Sequence, residues 1–135
     1  MKAIVMTLLV AVSLMVFSLP YEAVADCGVR TSLSAPDGAV VAASGVAYVG
    51  SLGDGAQQTF TVQVDAAVPD GTQLMVFANG EPAGMITVTG GTGTLDLSNV
   101  NGPLPAGVDP VCQIGPIWVT DAGQTTALLV NADFN

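Results

Sequence analysis

The sequence predicts an all-β fold: an antiparallel, Greek-key (immunoglobulin-like) β-sandwich of about seven to nine strands. Three observations predict it. Gly and Pro recur throughout the chain beyond residue 25, with Thr, Val and Gln filling the gaps; such spacing of turn formers suits short strands rather than helices. The segment Gln57–Asp65 alternates strictly. Phe60, Val62 and Val64 lie on one face, Thr59, Thr61 and Gln63 on the other, the period-two pattern of a strand buried on one side. Finally, Asn79-Gly80 separates two apolar runs, and both residue types tolerate the positive φ of a two-residue hairpin turn.

In chain order, the first element is a targeting segment. Lys2 supplies a positive charge, an apolar run extends from Ala3 to Leu19, Pro20 ends it, and Ala23-Val24-Ala25 gives a small-x-small cleavage pattern. Residues 1–25 are therefore read as a signal peptide cut after Ala25, and residues 26–135 as a single β-sandwich domain. The product is expected to be secreted, periplasmic or on the cell surface, without an integral membrane span after processing. Bacterial lipid attachment wants Gly, Ala or Ser before the acylated Cys, whereas Asp26 precedes Cys27. Cys27 is thus read as a structural thiol, with a lipid anchor as the minor alternative.

The strands follow. Val29–Leu33 and Ala39–Ala43 are weak candidates joined at Pro36-Asp37-Gly38. Gly45–Ser51 is the expected partner of Gln57–Asp65 across Gly53-Asp54-Gly55. Gln73–Ala78 is apolar on both faces, Leu74 and Val76 against Met75 and Phe77. Its second face is either covered by a loop or offered to a partner. Beyond Asn79-Gly80, Met85, Ile86 and Val88 mark a return strand, whose start is disturbed by Pro82 and Gly84; a bulge or wide loop is expected there. Thr94–Ser98 alternates again, with Leu95 and Leu97 inward. Asn99–Gly115 is the longest gap and holds Pro103, Pro105, Pro110 and Cys112. Pro116–Thr120 and Thr125–Asp133 complete a hairpin across Asp121-Ala122-Gly123-Gln124, with Ile117 and Val119 sharing a face, and Leu128 and Val130 likewise.

Composition excludes more than it suggests. The chain has 135 residues, a formal net charge of −9 and no His. Once Lys2 and Glu22 leave with the signal segment, Arg30 is the sole cation. Such a chain repels phosphate backbones, so nucleic acid is not an expected partner. Without His the commonest general base is missing, and so is the usual partner of a catalytic Ser or Cys. Without Lys there is no Schiff base and no P-loop. The expectation is a non-enzyme with no catalytic residues and no cofactor.

Four candidate features remain. Cys27 and Cys112 form an even pair in an exported chain, and a disulfide between them is expected. Two distant Cys without His cannot complete a zinc set, and no metal ligands are assigned. Trp118 and Tyr48 are the polar-tipped aromatics of the mature chain and the candidate ligand contacts. Trp118 alternates with Ile117 and Val119. If those two are core, Trp118 faces out; the opposite assignment buries it. Calcium would need Asp54-Gly55 and Asp70-Gly71 to meet at one end of the sandwich. A hydrolase would need two carboxylates about 5–10 Å apart, whereas Asp37, Asp54, Asp70 and Asp121 read as turn formers and Asp96 as an outward strand residue.

The succession Phe60-Thr61-Val62-Gln63-Val64, Gly71-Thr72-x-Leu74, Val76-Phe77-Ala78-Asn79-Gly80, Gly84-Met85-Ile86-Thr87-Val88, Leu95-Asp96-Leu97 and Val119-Thr120-Asp121 resembles a pattern in small secreted bacterial β-sandwich proteins of uncharacterised function. The resemblance implies a β-sandwich and assigns no ligand. The functional expectation is an exported structural, adhesive or partner-binding domain at the cell surface or in the extracellular matrix, its partner a protein or a polysaccharide. The alternative is a carbohydrate-binding or calcium-dependent recognition module, and the remotest reading is a small carboxylate hydrolase.

Overall fold

The computed structural model describes residues 26–131. The signal segment assigned to residues 1–25 lies outside them, as does Asp133 at the end of the last expected strand. Eight strands form: β1 (Gly28–Ser34), β2 (Ala43–Leu52), β3 (Gln57–Ala66), β4 (Gln73–Ala78), β5 (Glu81–Thr87), β6 (Thr92–Ser98), β7 (Ile117–Asp121) and β8 (Ala127–Asn131). Two 3-10 turns, Asn99–Asn101 and Val111–Gln113, lie in the long connection before β7. Among the described residues no helix is long and apolar enough to cross a membrane.

The expected sandwich has two sheets. The ladders instead join all eight strands into one sheet, in the order β5-β4-β7-β8-β1-β2-β3-β6, and each pairing is antiparallel. The strands at its two ends, β5 and β6, are consecutive in the chain and meet through the turn bridged by Thr89 and Thr92. The sheet is thereby nearly closed into a barrel. Side chains rather than a ladder fill the seam. A Cβ on Gly84 would sit 2.8 Å from Leu95 Cδ1, and one on Gly93 would collide with Ile86 Cγ2. Glycine at these two positions lets each leucine or isoleucine lie directly on the opposite backbone.

Alternation builds the interior. On β3, Phe60, Val62, Val64 and Ala66 point inward and are buried, meeting Leu74 and Val76 of β4, Ile117 and Val119 of β7, and Leu129 of β8 in one core. The Asn79-Gly80 turn forms as expected, with φ of 53° and 79°, and the expected β4–β5 irregularity is a register shift between Val76 and Phe77.

Two expectations need correction. Ala39–Ala42 is loop, and β1 instead pairs with the longer β2 from Ser34↔Ser44 to Gly28↔Gly50. Leu128 and Val130 do not share a face in the expected way. Val119 pairs with Leu129 and Thr120 with Ala127, leaving Leu128 as the extra residue of a bulge. Leu129 thus enters the core, and Val130 lies outside, opposite Trp118.

The two ends of the barrel differ. At the end holding the β2–β3 and β4–β5 turns, the 99–116 connection folds inward. Val108 and Val111 are fully buried and Ile114 nearly so, all within the common core. The opposite end carries the 35–42 and 67–72 loops and the 122–126 turn.

Candidate functional site

The long connection is held by polar side chains as well as by covalent linkage. The expected Cys27–Cys112 disulfide is present, with a Cα–Cα distance of 5.7 Å. Next to it stands Gln58, an inward-facing position of β3 that is only 8 % exposed. Its Oε1 accepts from the Val111 amide at 2.9 Å and its Nε2 donates to Asp109 Oδ1 at 3.3 Å. Asn79 does two jobs. It adopts the left-handed turn conformation, and its side chain donates to the Gly107 carbonyl and accepts from the Gly115 amide. Asn131 closes the far side, donating to the Gly115 carbonyl and accepting from the Ile117 amide. Among the described residues every buried side-chain nitrogen or oxygen has a hydrogen-bond partner. Period-two counting back from Phe60 places Gln58 on the core face; the sequence reading missed it because it followed only the apolar members of that face.

Trp118 faces out. Ile117 and Val119 are fully buried, and Trp118 between them is 43 % exposed. It pairs with Phe77 of β4 on one side and Val130 of β8 on the other. Met75 pairs with Met85, which is 46 % exposed, and Phe77 with Pro82. The second apolar face of β4, Met75 and Phe77, is half-buried between these exposed neighbours. With Trp118, Met85 and Val130 it forms an apolar strip across the outside of β5, β4, β7 and β8. Sequence alternation marked each member of that strip; only the strand order could bring them together.

Tyr48 is also outward, at 40 % exposure. Its ring and hydroxyl lie against Gly50, with Gly28 beyond. Its cross-strand neighbours are Arg30 and Thr61, and Thr61 donates to Asp96 Oδ1 at 3.0 Å. Strands β8 and β1 separate it from Trp118, so about 14 Å of sheet lies between their strands. The two aromatics do not form one site.

The acidic residues do not converge. Asp54 precedes and Asp70 follows the ten-residue β3, about 30 Å of strand apart, so the expected meeting of their loops does not occur. Among the described residues no group of three or more His, Cys, Asp or Glu is placed to hold a metal ion. Asp70 Oδ1 accepts from the Gly90 amide and Asp26 Oδ1 from the Gly55 amide, both turn-stabilising roles. Asp121 caps the β7–β8 turn. Its Oδ1 accepts from the Thr125 and Thr126 amides and its Oδ2 from the Thr125 hydroxyl, all within 2.8 Å. The Thr125 hydroxyl first, then the Thr126 amide, hold this carboxyl below its ordinary value. That direction is opposite to what a general acid needs.

One apolar cleft opens at the end of the barrel away from the disulfide. It holds about 210 Å³ between the 35–42 loop, the 67–72 loop and the start of β8. Its wall is aliphatic; Thr72, Asp121 and Thr126 lie along it but turn almost no polar surface into it.

The chain matches no family model, no curated protein and no solved structure.

Proposed function

We propose that this chain is an exported, non-catalytic β-domain that works by binding a protein partner at the cell surface or in the extracellular matrix. The observation that carries this reading is the outward apolar strip around Trp118 and Phe77, exposed at Trp118 and Met85 and half-buried at Met75, Phe77 and Val130. Trp and Met are among the side chains enriched where proteins meet. Their neighbours Met75, Met85 and Val130 offer no hydrogen bonds, so the strip suits an apolar protein surface better than a sugar. The finer Greek-key, immunoglobulin-like assignment belongs to the same proposal; its support is the pair of crossing connections, β3 to β4 and β6 to β7.

The test compares retention of the native chain and of Trp118→Lys on the envelope of the producing cell. The native chain is expected to co-sediment and the variant to remain in the medium. Equal partitioning of both would overturn the reading.

A second reading, carbohydrate recognition, is favoured by Tyr48. This ring is set among Arg30, Thr61 and Asp96, donors and acceptors of the kind sugar hydroxyls require. It predicts that Tyr48→Ala removes binding to host polysaccharide while Trp118→Lys leaves it intact.

A further inference from the structure

We propose that the outer face of β1, β2 and β3 binds a neutral linear oligosaccharide, held between the Tyr48 ring and a polar hollow above Val46. The inference rests on the carbohydrate reading of Tyr48 and adds the second half of its site. It is separate from the Trp118 strip.

Two glycines shape the ring's position. Arg30 pairs with Tyr48, and Gly28 with Gly50, two positions further along the same face. A Cβ on Gly50 would stand 2.7 Å from the Tyr48 hydroxyl and 3.0 Å from its Cε1. The ring therefore lies along the strand over Gly50, which is buried, while Tyr48 itself stays 40 % exposed. A ring laid down on a sheet offers its electron-rich face, the surface on which the C–H groups of a sugar stack.

The same posture opens the hollow. Tyr48 leans away from Val46, its neighbour on the face in the other direction. An open hollow of about 360 Å³ remains there, lined by Ser32, Ser44, Val46, Gln63 and Asp65. Ser32, Val46 and Gln63 form one cross-strand row, and Ser44 and Asp65 stand opposite each other in the next. The side chains of Ser32, Ser44, Gln63 and Asp65 make no hydrogen bond to another of the described residues. Serine and glutamine both donate and accept, and the carboxylate accepts; sugar hydroxyls need that mixture. Val46 supplies an apolar floor. From Val46 to Gly50 is about 14 Å of strand, more than one sugar ring spans, so the ligand is an oligosaccharide. Charge makes it a neutral one. Asp65 and Asp96 lie on this face, Arg30 is the only cation among the described residues, and the formal charge is −9, all of which repel uronate or sulfate groups.

The probes are cellohexaose, maltohexaose and hexagalacturonate, titrated into the oxidised protein and followed by backbone amide NMR. At least one neutral hexamer is expected to bind with a dissociation constant on the order of 1 mM, shifting the amides of Val46, Tyr48 and Gln63; hexagalacturonate should not saturate. Tyr48 and Gln63 are exposed, so Tyr48→Ala and Gln63→Ala should fold as the native protein does, and each should weaken binding about three- to tenfold. Gly50→Ala keeps every polar group but lifts the ring, and should weaken binding like Tyr48→Ala. Loss of affinity in Tyr48→Ala with none in Gln63→Ala would overturn the hollow and leave the Tyr48 reading standing. No saturable shift with either neutral hexamer, or shifts confined to the Trp118 face, would overturn both. Equal binding of hexagalacturonate would overturn the choice of a neutral ligand.

Discussion

Replacing Gln58 by Ala tests whether the long connection is locked to the barrel by one buried amide. Two effects set the magnitude. The Val111 amide, in a fully buried residue, loses its acceptor; orphaning a buried donor costs about 1–3 kcal/mol. Burial of the side-chain stem contributes about 0.8 kcal/mol per methylene. The Asp109 oxygen adds little, because that residue is exposed and water replaces the amide. The expected loss is about 2–4 kcal/mol, a large share of the roughly 5–15 kcal/mol available to a domain. Urea denaturation of the oxidised protein measures it, with an unchanged slope expected because the same surface unfolds. Gln58→Glu separates the two hydrogen bonds. It keeps an acceptor for Val111 but sets a second carboxylate where the amide met Asp109 at 3.3 Å. Like charges raise a carboxyl pKa in the folded state. The Glu variant should therefore regain stability as pH falls through that raised value, where the folded state takes up the proton first. A Gln58→Ala loss under about 0.5 kcal/mol would show that the loop is held by the disulfide and aliphatic burial alone.

Three further outcomes follow from the same geometry. Reducing Cys27–Cys112 opens a loop with a sequence separation of 85, for which chain entropy gives about 4–5 kcal/mol; coincident urea midpoints for oxidised and reduced protein would contradict that. The folded pKa of Asp121 lies below its ordinary value of 3.8, so its stabilisation is complete above that value and is lost as pH falls through the lower, folded one. Thermal melts from pH 7 to pH 2 should show a larger acid loss for the native protein than for Asp121→Asn, and parallel curves would refute the cap. Gly93→Ala should cost about 1–3 kcal/mol through overpacking at the seam, because its methyl collides with Ile86 Cγ2. Ile86→Leu removes that atom and should recover part of the loss in the thermal midpoint.

Local grammar made the strands legible and left their assembly obscure. Gln73–Ala78 was readable to the residue because Asn79-Gly80 ends it with an unambiguous turn. The 35–42 loop was misread because Val40 and Val41 look strand-like one at a time; propensity carries no information about whether a partner strand is in reach. The β7–β8 bulge was missed for a related reason. Ala127-Leu128-Leu129-Val130 is apolar throughout, so alternation cannot say which residue is extra, and the register across Val119 decides it. The disulfide was legible from an even cysteine count in a chain expected to be exported. Gln58 was not, because a buried amide is defined by its partners, Val111 and Asp109, which lie over 50 residues away in sequence.

The same distinction bears on where this molecule can act. The end near the disulfide has its polar side chains committed: Gln58, Asn79 and Asn131 each hold the 99–116 connection, and its valines are buried. Side chains so engaged leave few groups free to meet a ligand. The outer strip and the opposite cleft are the reverse. Their apolar groups are uncovered, and a hydrophobic surface left in water at Trp118, Met85 and Val40 is a cost that the core does not require. The net charge of −9 fits this division. Acids such as Asp70 and Asp121 are occupied in turns, which leaves the apolar faces as the surfaces that the proposed protein binding would use.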